Sequence, residues 1–374
     1  MNFDLTLQQL QSEGNFRTLP VDTTPGTVDL SGNDYLGLGA DVSLREKFFS
    51  IRPVSSLAMT SAASRLLAGN QAVYSDFENL LAKSYGHGRA ALTFNSGYHA
   101  NTGLVSSLAD KSTLIVADRL VHASIIDGIR LSGADFVRFP HNDFTRLEEI
   151  MKGRAQKYPR VLIIAESVYS MDGDRSDIPA LVAAKKHHPD AMLYIDEAHA
   201  VGVLGPGGLG LVAAERLVSE VDILVGTLGK ALASMGAFSI TTPAVRDFLI
   251  NKARSFIFST ALPPAQLQWS TFMWLTALEA DSHRSSLAAL SRTLADIIPG
   301  GAPSHIRPFI VGTAKGAVEL SLLLADNGFK VLPIRTPTVP PGTERLRFSL
   351  SADIKPESLS PLKKLLADAI QTGK

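Results

Sequence analysis

The chain has 374 residues, enough for about two domains with sizeable cores. A hydrophobic fraction of 45% and a charged fraction of 19% argue against disorder. Lys+Arg and Asp+Glu both count 36, so no broad basic surface for nucleic acid is implied, and the lack of cysteine excludes disulfides, thiolate nucleophiles and cysteine-held metal clusters.

The first residues, MNFDLTLQQLQSEG, lack the basic flank and apolar core of a secretory signal. No uncharged apolar run approaches the roughly 20 residues that span a bilayer. A soluble cytoplasmic protein with no membrane partner is expected. Residues 1–45 read as an N-terminal arm of mixed turns, including Ser31-Gly32-Asn33-Asp34-Tyr35-Leu36-Gly37.

A large domain is expected over 46–275. Within it, short apolar runs alternate with helix-length amphipathic stretches. The runs are AALTFN (90–95), TLIVAD (113–118), DFVRFP (135–140), VLIIAE (161–166), AMLYID (191–196), DILVGT (222–227) and GAFSIT (236–241). Apolar runs of this length read as strands buried on both faces. Their alternation with helices such as SIIDGIRLS predicts an α/β fold with a mostly parallel central sheet. One long helical stretch is expected from 264 to 297, ended by Pro299-Gly300-Gly301. A smaller α+β domain is placed at 276–374.

In open parallel sheets, ligands sit beyond the carboxyl ends of the strands. Four loops there carry candidate chemistry. Ser96-Gly97-Tyr98 follows the first run and opens a helix, which suits an anion; it is also a routine strand–helix join. His122 follows TLIVAD and can stack on an aromatic ring, or simply cap a helix. Asp196 ends AMLYID and would suit a cationic ring nitrogen, or serve as an ordinary N-cap; His199 is three residues on. Lys230 follows Gly226-Thr227-Leu228-Gly229. There it can be a nucleophile toward carbonyl groups, although most lysines are surface residues. Each signal is weak alone, and their joint placement in this order is what carries weight.

These residues, with Ser64-Arg65-Leu66-Leu67-Ala68-Gly69-Asn70, Ser170-Met171-Asp172-Gly173-Asp174 and Phe258-Ser259-Thr260-Ala261-Leu262-Pro263-Pro264, resemble the α-oxoamine synthases. That family is a branch of the fold-type I enzymes that use pyridoxal 5'-phosphate. The likeness spans nearly the whole chain, and Asp196-Glu197-Ala198-His199 together with Thr227-Leu228-Gly229-Lys230 is its most specific part.

The resemblance implies that Lys230 forms the Schiff base, Asp196 pairs with the pyridine nitrogen and His122 stacks on the ring. His199 would contact the phenolic oxygen, with Ser170 close by. Ser96, Gly97, Tyr98 and Thr227 would hold the phosphate, and Thr260 would reach the cofactor of a neighbouring subunit in a homodimer. Arg347 would grip the amino-acid carboxylate, with Asn33 and Arg17 as further substrate contacts. No metal is implied. The implied reaction is a decarboxylative condensation of an amino acid with an acyl thioester, expected to be L-alanine with a pimeloyl thioester in biotin biosynthesis. Other amino-acid and acyl pairs, an aminotransferase and a non-catalytic partner subunit are the rival readings.

The sequence departs from the family's usual pattern at Val121, at Tyr74-Ser75-Asp76-Phe77-Glu78, at Thr60-Ser61-Ala62-Ala63, at Ala200 and at Asp353. None of these is the lysine or its Asp partner, so the departures bear on the acyl substrate more than on the chemistry.

Overall fold

The computed structural model describes residues 2–19 and 26–371. Its strands are β1 (Val28–Asp29), β2 (Ala90–Phe94), β3 (Thr113–Asp118), β4 (Asp135–Phe139), β5 (Arg160–Glu166) and β6 (Ala191–Asp196). They continue as β7 (Ile223–Thr227), β8 (Ala237–Thr241), β9 (Ile306–Ile310), β10 (Phe329–Lys330), β11 (Leu332–Ile334) and β12 (Arg345–Ser349). The chain forms two compact units.

The larger unit comprises Leu36–Tyr169 and Arg175–Asp281. Its seven-stranded sheet has the order β2-β8-β7-β6-β5-β3-β4. Strands β4, β3, β5, β6 and β7 run parallel, and β8 lies antiparallel between β7 and β2. Every residue of β3 and β7 is buried, as a parallel sheet covered on both faces requires. The expected strand over 135–140 differs. Strand β4 is the outer edge, and Asp135, Phe136 and Arg138 are exposed. Charged side chains on an edge discourage further strand pairing.

Helix ends are set by local chemistry. Ser96 caps Gly97–Leu108, and Thr242 caps a helix with proline at its first turn. Helix Ala123–Ser132 stops at Gly133, whose φ of 66° is left-handed. Helices Gly97–Leu108 and Ala123–Ser132 pack together, and Leu104, Val105, Ile125 and Ile129 join Ile115, Ile164 and Val225 of the sheet in one core.

The smaller unit comprises Met1–Tyr35, Ser170–Asp174 and Ser282–Lys374. It holds an antiparallel sheet of order β11-β12-β9 and a parallel pair, β1 with β10. The N-terminal segment is therefore no separate arm of residues 1–45. Its backbone is tied to the C-terminal segment, with Leu30 N–H donating to Lys330 O and Ser349 N–H to Leu30 O. The boundary falls at 281/282, not 275/276. The expected 264–297 stretch is two helices, Pro264–Leu278 and Asp281–Ile297, and the division follows the break between them.

Candidate functional site

Asp196 ends β6 and is only 5% exposed. A carboxylate there needs donors. Asn101 Nδ2 gives one to Oδ2 at 2.7 Å and Ala198 N–H gives another to Oδ1 at 2.9 Å. Glu166, its register partner on β5, is also buried, and its Oε1 has no hydrogen-bond partner. Burial, and then the charge of Asp196, push Glu166 well above the usual carboxylate range, against the pull of Lys230. The neutral acid is thereby favoured at Glu166.

The turn after Asp196 carries His199, and the loop after β7 carries Lys230. Lys230 Nζ and His199 Nε2 lie 2.8 Å apart. His199 is buried and Lys230 partly so.

His122 caps the helix Ala123–Ser132, its Nδ1 accepting from Ser124 N–H at 3.2 Å. The Ser124 hydroxyl is 2.7 Å from the same nitrogen. The residue is exposed, but its Nδ1 is engaged by Ser124. Desolvation holds the imidazole below its usual pKa; Asp196 opposes it and Lys230 reinforces it.

Gly97 opens the helix after β2, and the N–H groups of Gly97 and Tyr98 have no intrahelical acceptor. Ser96 Oγ accepts from His99 N–H at 3.2 Å. A Cβ placed on Gly97 would stand 3.9 Å from Thr227 Oγ1, and one on Gly229 would stand 3.8 Å from that atom. The helix start, the threonine and the lysine loop thus converge. Thr227 Oγ1 donates to Gly236 O at 3.2 Å and accepts from Gly229 N–H at 3.3 Å. Tyr98 donates its hydroxyl proton to Asp127. Thr260 lies beside Ser64 in an isolated bridge; its carbonyl accepts from Asn95 Nδ2 at 2.7 Å and its side chain is exposed.

This set fits pyridoxal phosphate. A helix N-terminus suits a phosphate, a buried carboxylate suits a protonated ring nitrogen, and a partly buried amine suits an aldehyde. Among the described residues no cluster of His, Cys, Asp and Glu is placed to hold a metal ion.

Other expected residues meet in the smaller unit. Arg347, on β12, is 7% exposed. Its Nε donates to Ser170 O at 2.6 Å, and its Nη2 donates to Asn33 Oδ1 at 3.1 Å and to the Tyr35 hydroxyl at 3.3 Å. Arg17 is exposed and apart from this cluster, donating from Nη2 to Thr338 Oγ1 at 3.1 Å.

Residues 25–364 match the family model described as aminotransferase class I and II. The chain belongs to this family. A putative 8-amino-7-oxononanoate synthase of Pasteurella multocida is 46% identical over 364 residues, covering 93% of this chain and 94% of that relative. The crystal structure of 8-amino-7-oxononanoate synthase from Francisella tularensis superposes with a TM-score of 0.78 at 29% identity, covering 92% of this chain and 98% of that one. A serine palmitoyltransferase variant from S. paucimobilis, with a bound PLP–myriocin aldimine, gives a TM-score of 0.88 at 28% identity, covering 99% of this chain and 97% of that one. With the family shown, the expected fold-type I α/β architecture, the pyridoxal-phosphate dependence and the C-acyltransferase class of the α-oxoamine synthases hold for this chain.

For this family member, sequence reasoning missed Asn101, Ser124 and Tyr194. A signal existed for each. Asn101 lies one helical turn after Gly97, Ser124 lies two residues after His122, and Tyr194 lies two before Asp196, on the same strand face.

Proposed function

We propose that this chain condenses L-alanine with a pimeloyl thioester, releasing carbon dioxide and the free thiol and leaving 8-amino-7-oxononanoate. The observation that carries the reading is the meeting of Asp196, Lys230 and His199 at the ends of β6 and β7, opposite a helix start at Gly97. The Pasteurella and Francisella relatives, named for 8-amino-7-oxononanoate synthesis, support this choice of product.

When bound, pyridoxal phosphate supplies the electron sink that stabilises charge on the amino acid's α-carbon. Asp196 would pair with the ring nitrogen, and His122 would stack on the ring. Gly97 and Tyr98 present N–H groups to the phosphate, with Ser96 holding the loop and Thr227 closing it. Lys230 would hold the cofactor's aldehyde carbon and, once free, would take the α-proton at Nζ and later return it. His199, 2.8 Å from that nitrogen, would orient it and contact the phenolic oxygen, and Ser170 would be a further cofactor contact. Arg347 would receive the amino-acid carboxylate, with Asn33 and Arg17 as further substrate contacts.

Thr260 is assigned to the cofactor site of a second copy in a homodimer. Exposed Leu66, Leu67 and Phe258, on segments joined by the Ser64–Thr260 bridge, support a covering partner. Among the described residues no helix is long and apolar enough to cross a membrane. We place the enzyme in the cytoplasm.

Exchange of the α-proton into deuterated water, followed by NMR across a panel of amino acids without acyl donor, tests the amino-acid half. Alanine should exchange faster than glycine or serine. Equal or faster exchange of serine would overturn the assignment to alanine.

A further inference from the structure

Asp196 and His122 belong to one hydrogen-bond chain with Asn101 at its centre, buried from Tyr194 to Ser124 and ending at the exposed His122. Tyr194 donates its hydroxyl proton to Asn101 Oδ1 at 2.5 Å. Asn101 Nδ2 donates to Asp196 Oδ2 at 2.7 Å and to Ser124 Oγ at 2.9 Å. Ser124 Oγ sits 2.7 Å from His122 Nδ1. Tyr194 and Ser124 are fully buried, and Asn101 is 3% exposed.

The donor directions are forced. Turning the amide over would set Oδ1 against the Asp196 carboxylate, two acceptors face to face. Ser124 N–H donates to His122 Nδ1, which makes that nitrogen an acceptor, so the Ser124 hydroxyl accepts the amide proton and gives its own to Nδ1. That nitrogen is therefore bare and the ring proton sits on Nε2. We infer that Asn101 is a positioning residue that sets two cofactor contacts together: the carboxylate under the ring nitrogen, directly, and the tautomer of the stacking imidazole, through Ser124. The inference rests on the cofactor roles proposed above for Asp196 and His122.

The charges facing this chain are few. Asp196, Lys230 and Asp127 act on His122, and Glu166 and Lys230 lie near Asp196. Asn101→Asp keeps the shape and replaces the donor by a carboxylate. Two carboxylates then contend for one site, and one takes up a proton. Tyr194→Phe is milder, because it leaves the amide free to turn.

The test compares wild type, Asn101→Asp, Tyr194→Phe and, as a control on the site, Asp196→Ala. In each apoprotein the His122 titration is followed by imidazole NMR, and pyridoxal phosphate affinity is measured by absorbance. Asn101→Asp should raise the His122 pKa by about one unit or more and weaken cofactor binding about tenfold. Tyr194→Phe should move both in the same direction by less, and it carries the test if Asn101→Asp does not fold. If Asp196→Ala weakens binding while both Asn101→Asp and Tyr194→Phe match wild type, the inference about Asn101 is overturned and the site reading stands. If Asp196→Ala also matches wild type, the site reading falls with it.

Discussion

Lys230 Nζ stands 2.8 Å from His199 Nε2. A lysine in this position is half-buried rather than a free surface charge. It is held by an imidazole that can share a proton with it, in the loop beside the Asp196 strand end. Replacing it should remove both proposed roles, anchor and base. Lys230→Ala protein, purified with cofactor, should lack the yellow colour of wild type, and borohydride should add no cofactor mass to it. Turnover by this variant would contradict the assignment.

Asp196→Asn keeps the size of the side chain but removes the charge. The Asn101 and Ala198 donors keep an acceptor at Oδ1 only. α-Proton exchange of alanine should slow by about 10²-fold or more, since a preorganised charge at the reacting centre is lost. An unchanged exchange rate would remove Asp196 from the mechanism.

Arg347 spends Nε and Nη2 on Ser170, Asn33 and Tyr35, which locks the guanidinium plane. Arg347→Lys cannot reproduce that fork. The loss should cost about 2–3 kcal/mol of binding, read as a KM for alanine raised about 10²-fold with a smaller fall in kcat. The acyl-donor KM should move far less.

Glu78 is buried and accepts from Thr93 N–H at 2.8 Å while pairing with Arg65. Glu78→Ala removes the carboxylate facing Arg65, whose side chain is only 9% exposed and keeps just the neutral acceptors of Asn70 and Thr93. Denaturant unfolding should show a loss of about 3–5 kcal/mol.

Glu197 is fully buried, in space left by Gly210, where a Cβ would fall 1.5 Å from Oε2. Burial, partly offset by donors at Val212, Ser167 and Leu211, pushes its carboxyl up to about 8. A raised folded-state pKa means the folded protein holds the proton more tightly than the unfolded chain. This contribution to stability is complete below about pH 4.5 and is lost as pH rises toward about 8. Glu197→Gln should flatten that part of the stability curve. A wild-type slope that survives the change would contradict the protonated form.

The sheet was legible because its central strands are apolar throughout, and burial on both faces leaves no other solution for TLIVAD or DILVGT. The edge position of β4 was visible only weakly, in Asp135 and Arg138. The division of the chain was not legible, since β1 pairs with β10 about 300 residues away, and pairing at that range leaves no local pattern. Asp196 and Lys230 stood out by motif. Asn101 stood out less, because its place one turn after Gly97 is a weak signal until the strand and helix packed against it are known.

The most direct test of the account is product mass from the purified enzyme given L-alanine and a pimeloyl thioester. The expected products are 8-amino-7-oxononanoate with equimolar carbon dioxide and free thiol, and none when Lys230 is alanine. Conversion of alanine to pyruvate, with the thioester left intact, would contradict it.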